Sequence, residues 1–224
     1  MLQALAGCSG ENADPAAPAN MGAGTEPAVT AAVPNPDGKL VVAFGDSLYA
    51  GYGVPAGESF PAELEKALAG SGIAARVVNA GVSGDTSAAG LRRLAFTLDG
   101  LERKPDLVLV NLGGNDMLRG IDPAEARANL TAICEELKRR GIPILLTGMV
   151  AAPNLGPDYA SAFNPIYADL AERYDAVLDP FFLAGAIGDR TLMLPDRVHP
   201  NAAGIDRITA RVAPLVAAKL KAEG

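Results

Sequence analysis

From Lys39 onward, short apolar runs alternate with segments of helical spacing, and this alternation constrains the fold more tightly than any other feature of the chain. Leu40-Val41-Val42-Ala43-Phe44 is a continuous apolar run, the pattern of a parallel strand buried on both faces. Arg76–Asn79, Leu107–Val110, Ile142–Leu146 and a short stretch at Ala176–Leu178 predict four more strands. Phe60, Leu64, Ala67 and Leu68 recur at helical spacing between the first two. Thr86 is placed to cap a helix whose apolar stripe is Leu91, Leu94, Ala95 and Leu98. Asp122-Pro123-Ala124-Glu125 opens the next helix, with Asp as cap, Pro at the first helical position and Glu placed to reach back. Ala126, Leu130, Ile133 and Leu137 form its buried face, Cys134 beside them is a core residue, and Gly141 stops it. Phe163, Ile166, Leu170 and Tyr174 mark one further helix, and Ile205, Ile208, Val212, Leu215 and Val216 mark the last. Strands separated by helices in this way need crossover connections, so the fold class is α/β, with a parallel sheet covered on both faces.

Residues 1–38 have a different composition. From Ser9 to Gly38 they are mostly Ala, Pro, Gly and Asn, with too little apolar surface to offset the entropy of ordering. The expected organisation is a disordered N-terminal tether over 1–38 and one domain over 39–224. Leu5-Ala6-Gly7-Cys8 resembles a bacterial lipobox, which makes Cys8 the lipidation candidate; the alternative is a chance match in a tail. The residues before Cys8 are too few for a charged region plus an apolar stretch, which suggests a truncated start. On the lipobox reading the protein is periplasmic, or a membrane-anchored lipoprotein facing the cell envelope.

A net charge of −7 argues against a nucleic-acid partner, which wants a basic face. The two cysteines, Cys8 and Cys134, do not suggest a disulfide framework. His199 is the single histidine, so a zinc site is not expected, while an all-carboxylate Mg²⁺ or Ca²⁺ site stays open.

In a sheet of this kind, sites lie at the carboxyl ends of the strands. The first three strands end in Gly45-Asp46-Ser47-Leu48, in Gly81-Val82-Ser83-Gly84-Asp85-Thr86 and in Gly113-Gly114-Asn115-Asp116. Asp196-Arg197-Val198-His199-Pro200-Asn201 precedes the last helix, and an Asp three residues before a His can hold one ring nitrogen and leave the other as base. Ser47 is the matching nucleophile. The N–H groups of Ser47 and Gly84 and the side-chain amide of Asn115 are the donors for a developing oxyanion. Asp46, Asp85 and Asp116 read as scaffold residues of their loops. Arg119 would meet either an anionic headgroup or solvent.

Together these four segments resemble the conserved blocks of the GDSL/SGNH hydrolase family. They are particularly similar to its thioesterase I/protease I/lysophospholipase L1 (arylesterase) branch, through Gly45-Asp46-Ser47-Leu48-x-Ala50-Gly51-Tyr52, Ser83-Gly84-Asp85-Thr86-Ser87 and Gly113-Gly114-Asn115-Asp116-x-Leu118-Arg119-Gly120. The resemblance spans roughly Lys39 to Lys219. It implies a three-layer α/β/α sandwich on a flavodoxin-like parallel sheet of about five strands, with Ser47, Asp196 and His199 catalytic and Ser47, Gly84 and Asn115 forming the oxyanion hole. It also implies hydrolysis of carboxylic esters or thioesters through an acyl-enzyme, no metal or organic cofactor, a small-molecule substrate and a monomer. The readings beside it are a carbohydrate O-deacetylase, which uses the same parts with another pocket, and a non-catalytic lipid- or glycan-binding module. The segment from Ala151 to Tyr159 is expected to shape the acyl pocket.

Overall fold

The computed structural model describes residues 38–222. The tether and Cys8 lie outside the described residues, apart from Gly38. In chain order the elements are β1 (Lys39–Gly45), α1 (Ser47–Ala50), α2 (Phe60–Gly70), β2 (Ala75–Gly81), α3 (Ser87–Asp99), β3 (Leu107–Asn111) and α4 (Gly114–Leu118). They continue with α5 (Pro123–Arg139), β4 (Ile144–Thr147), α6 (Gly156–Phe163), α7 (Ile166–Tyr174), β5 (Val177–Asp179) and α8 (Ala202–Ala222).

The five strands form one parallel sheet in the order β2-β1-β3-β4-β5. This is the flavodoxin-like order, and the expected α/β class and strand number hold. The step from β1 to β2 runs one way across the sheet, and every later step runs the other way. Crossovers of one hand therefore place α2 on one face and α3, α5 and α7 on the opposite face. The packing agrees: α2 lies against α8, while α5 lies against both α3 and α7. Covered on both sides, β1 from Val41 to Phe44 and all of β3 are buried, which is why they read as unbroken apolar runs. The direction of winding reverses between β1 and β3, and such a switch point opens a crevice outside the strand ends.

Three local expectations are corrected. Phe163, Ile166, Leu170 and Tyr174 belong to two helices, α6 and α7, because Pro165 has no N–H with which to continue the first. Ala95 is exposed, and the buried stripe of α3 runs instead through Ser87, Gly90, Leu94 and Leu98. The fourth strand starts at Ile144, although the Pro143 carbonyl still accepts from the Val108 N–H. Thr86 and Asp122 cap α3 and α5, accepting from the N–H groups of Ala89 and Ala124.

Gly204, in the first turn of α8, shows how tightly this helix meets the segment before it. A Cβ there would stand 2.1 Å from the Leu192 carbonyl oxygen, which is backbone and cannot swing aside. Alanine in a helix is otherwise better than glycine by about 1 kcal/mol. Overpacking against fixed backbone costs about 1–3 kcal/mol and wins. Gly204→Ala is expected to lower the free energy of urea unfolding; an unchanged or higher value would show that the contact yields.

Candidate active site

The sequence after β1 turns at once into α1. Asp46 caps this short helix, its Oδ1 accepting from the Leu48 N–H at 3.0 Å, and Ser47 is the first helical residue. Two positions on, the buried ring of Tyr49 stacks on Phe60 at 4.9 Å, and its hydroxyl meets Thr147 Oγ1 at 2.8 Å at the end of β4. The turn that carries the serine hydroxyl is thereby fixed to two other elements.

His199 arrives on a segment folded back on itself. Met193 and Pro200 pair antiparallel, and the Leu194 N–H donates to the His199 carbonyl at 2.8 Å. Asn201 Nδ2 donates to the Thr191 carbonyl, while its Oδ1 accepts from Gly204 at the start of α8. Asp196 Oδ1 accepts from the backbone N–H groups of Val198 (2.9 Å) and His199 (3.0 Å), leaving Oδ2 facing the ring.

The three predicted residues meet. His199 Nδ1 lies 2.7 Å from Asp196 Oδ2, and His199 Nε2 lies 2.8 Å from Ser47 Oγ. An ionised carboxylate only accepts, so the proton of the neutral ring belongs on Nδ1. Nε2 is then the lone pair that accepts from the Ser47 hydroxyl. Burial works against ionisation of Asp196. The His199 backbone N–H, the ring and the Val198 N–H together outweigh it and hold the carboxyl below its ordinary value.

The expected oxyanion donors divide. Gly84 has φ +86, a left-handed conformation that glycine adopts without strain. The N–H groups of Ser47 and Gly84 have no acceptor among the described residues. Asn115 Nδ2, by contrast, already donates to Asp46 Oδ2 at 3.2 Å and to the Asp85 carbonyl at 3.0 Å. It reaches an oxyanion only by sharing one of those hydrogens.

Each of the three neighbouring aspartates ties one loop to another. Asp116 accepts from the Ser87 N–H at 2.7 Å and from the Ser87 hydroxyl, joining α4 to α3. Asp85 accepts from Arg93 Nε, and Arg93 also donates to the Gly45 carbonyl while lying 4.1 Å over the Phe44 ring. Arg119 donates to the Gly84 carbonyl at 2.7 Å, so it supports the loop of the second block.

Ser47 and His199 open into a cavity of about 430 Å³. Its walls include Leu48, Met117, Met149, Leu183 and Ile187, and Ser47, Ser83, Asn115, His199 and Arg197 bring polar groups to a mostly apolar lining. From the Ala151–Tyr159 segment only Ala152 contributes to the lining. Leu183 and Ile187 come from the segment after β5, where no motif or periodicity marks them. Tyr52 packs its ring 4.4 Å from the His199 ring; it stands inside the first block, which was the available signal. Arg197, between Asp196 and His199, holds φ +58, a left-handed conformation that costs a non-glycine residue about 1–2 kcal/mol.

A hydroxyl, an imidazole and a carboxylate in sequence at the switch point of a parallel sheet define a serine-hydrolase class of α/β protein. The chain belongs to the GDSL-like lipase/acylhydrolase family, whose model matches residues 43–207. It is 41% identical to Esterase TesA of Pseudomonas aeruginosa over 176 residues, which covers 79% of this chain and 87% of that one. It is 40% identical to thioesterase 1/protease 1/lysophospholipase L1 of Escherichia coli over 157 residues, covering 70% and 73%. The crystal structure of AlinE4, an SGNH-hydrolase family esterase, superposes with a TM-score of 0.70 at 55% identity, covering 81% of this chain and 96% of that one.

Burial, the largest influence, pushes the Asp46 carboxyl up to about 7. The Leu48 N–H and the Asn115 amide oppose the rise, and the charges of Asp85 and Asp116 add to it. A proton bound more tightly in the folded chain stabilises fully below the unfolded value of 3.8, and that contribution is lost as pH rises through about 7. Asp46→Asn has no such proton to lose. The unfolding free energy of the wild type, taken relative to Asp46→Asn, is expected to fall from about pH 5 to about pH 8 in denaturant titrations. A difference that stays constant over that range contradicts the assignment.

Proposed function

We propose that this protein is a serine esterase that cleaves carboxylic esters through an acyl-enzyme intermediate. The observation that carries the reading is the pair of contacts at His199, 2.8 Å to the Ser47 hydroxyl and 2.7 Å to the Asp196 carboxylate. His199 Nε2 takes the hydroxyl proton as Ser47 Oγ bonds to the ester carbonyl carbon. The carbonyl electrons move to oxygen, which accepts from the free N–H groups of Ser47 and Gly84 and from a shared hydrogen of Asn115. Preorganised donors of this kind are worth about 2.7–4 kcal/mol each in a well-studied protease. Asp196 stabilises the imidazolium, which then gives its proton to the leaving oxygen or sulfur as that bond breaks. Water, deprotonated by the same nitrogen, attacks the acyl-enzyme, and the acid leaves with Ser47 restored.

The apolar walls favour an acyl chain over a sugar. The names of the relatives point to aryl esters, acyl thioesters and lysophospholipids as the substrates to try first. The carbohydrate O-deacetylase reading is weaker, because so large an apolar cavity is poorly used by acetate. From the sequence alone, we also infer that Cys8 carries a lipid and anchors the domain at the cell envelope.

Ser47→Ala and His199→Ala are each expected to lower kcat/KM for p-nitrophenyl butyrate by at least about a thousandfold. A fluorophosphonate probe should label the wild type at Ser47 and leave Ser47→Ala unlabelled. Near-wild-type turnover by Ser47→Ala would refute the mechanism. With p-nitrophenyl esters, kcat/KM is expected to rise from acetate towards hexanoate by up to about fourfold per methylene, whereas a maximum at acetate would favour the deacetylase. Labelling cells with an alkynyl fatty acid should mark the wild type and not Cys8→Ser; equal labelling of both removes the lipoprotein reading.

A further inference from the structure

Among the described residues, the exposed large apolar side chains are Tyr52, Val82, Phe96, Leu118, Val150 and Ile187. All but Phe96 stand on segments that follow the carboxyl ends of the strands. Tyr52, Leu118 and Ile187 line the cavity that holds Ser47. Val82 adjoins Ser83, which lines it, and Val150 lies between Met149 and Ala152, which also line it. Scattered exposed apolar residues are ordinary on a soluble protein, but a group of them around one opening marks an interaction surface.

Two cations stand at this opening although the chain as a whole is acidic. The chain carries a net −7, yet the mouth presents Arg197 along its lining and Arg119 against the Gly84 carbonyl. Neither guanidinium has a carboxylate partner among the described residues. Of the nearby acidic side chains, Asp85 pairs with Arg93 and Asp46 is buried against the Leu48 N–H and Asn115, while Asp196 keeps its charge beside His199. Arg197 also holds the left-handed backbone conformation that glycine would adopt more easily, so its side chain stands at the mouth against a local cost. Apolar side chains beside cations suit the surface of an anionic amphiphile aggregate, where the former enter the acyl layer and the latter meet the headgroups. The shape favours the same occupant. Exposed Tyr52, Leu118 and Ile187 stand on the wall of an open cavity, which an acyl chain can enter and a rigid protein face would have to plug.

We propose that the rim of this cavity docks the protein onto an anionic lipid–water interface. The docking is independent of the esterase reading. Only its consequence rests on that reading: an acyl chain passes from the aggregate to Ser47 without crossing bulk water.

The test uses the full chain carrying Ser47→Ala and Cys8→Ser, so that neither turnover nor a lipid on Cys8 contributes. The protein is sedimented at low ionic strength with vesicles of ether-linked phosphatidylcholine, alone or mixed with ether-linked phosphatidylglycerol. Binding to the anionic vesicles is expected to exceed binding to the neutral ones by at least about tenfold, and to fall with salt. Adding Val82→Ser and Val150→Ser, which leaves the cavity lining intact, should weaken binding at least about threefold. Phe96→Ser, away from the rim, should bind as the parent does. Arg197→Gly relieves the left-handed strain and so folds at least as well as the parent; it should lose about fivefold on anionic vesicles. This variant decides the matter if the double valine change fails to fold. A parent that binds neither vesicle overturns the proposal. So does an equal loss in Phe96→Ser and the valine variant, or anionic binding that Arg197→Gly leaves unaltered. Activity of the Ser47-intact protein on a soluble ester, measured separately, reports on the esterase reading alone.

Discussion

One hydrogen bond, from the hydroxyl that follows β1 to the imidazole that precedes α8, sets the demands that the rest of the structure meets. Its partners are separated by 152 positions in the chain. A contact that short between such distant residues survives only if both carriers are rigid. On one side Tyr49 anchors α1 to β4 through Thr147 and to α2 through Phe60. On the other, the Met193–Pro200 bridge and the close approach of Gly204 to the Leu192 carbonyl hold the histidine segment against α8. The sheet between them supplies the fixed distance.

The polar interior follows from the same demand. Acidic side chains out of full contact with water are costly unless bonded, and around the site Asp46, Asp85 and Asp116 each tie one loop to another. Asp116 joins α4 to α3, Asp46 joins α1 to Asn115, and Asp85 holds Arg93 against the end of β1. Farther along the sheet, Arg211 pairs with Asp179 and donates to the carbonyls of Phe181 and Phe182. That anchors the segment whose next residues, Leu183 and Ile187, wall the cavity. The carboxylates the chemistry does not use position the groups that it does. The division among the oxyanion donors follows as well. The expected backbone donors, the N–H groups of Ser47 and Gly84, have no acceptor among the described residues, while Asn115 is engaged by Asp46 and Asp85.

Much of this was legible in the chain. A buried parallel strand has no solvent face, so its residues must be apolar throughout, and β1 and β3 announced themselves for that reason. Glycine and small polar residues at strand ends marked the site loops. The spacing of Asp196 and His199 on one loop implied their pairing, because a contact three residues apart depends little on the rest of the fold. The errors were also local. Pro165 divides α6 from α7 through a missing N–H rather than through any change in apolar pattern, and Ala95 is small enough to sit on either face of its helix.

The amino-acid sequence by itself determined the class of fold, the loops that carry chemistry and the identities of Ser47, His199 and Asp196, because periodicity and short-range pairing are written in neighbouring residues. Tertiary structure alone decided the order of the strands, the engagement of Asn115 by Asp46 and Asp85, and the cavity walls at Leu183 and Ile187. It alone also decided that exposed Tyr52, Leu118 and Ile187 share one cavity wall with Arg197. Those features join residues far apart in the chain, and such contacts exist only once the crossovers of the sheet have brought their carriers to the same edge.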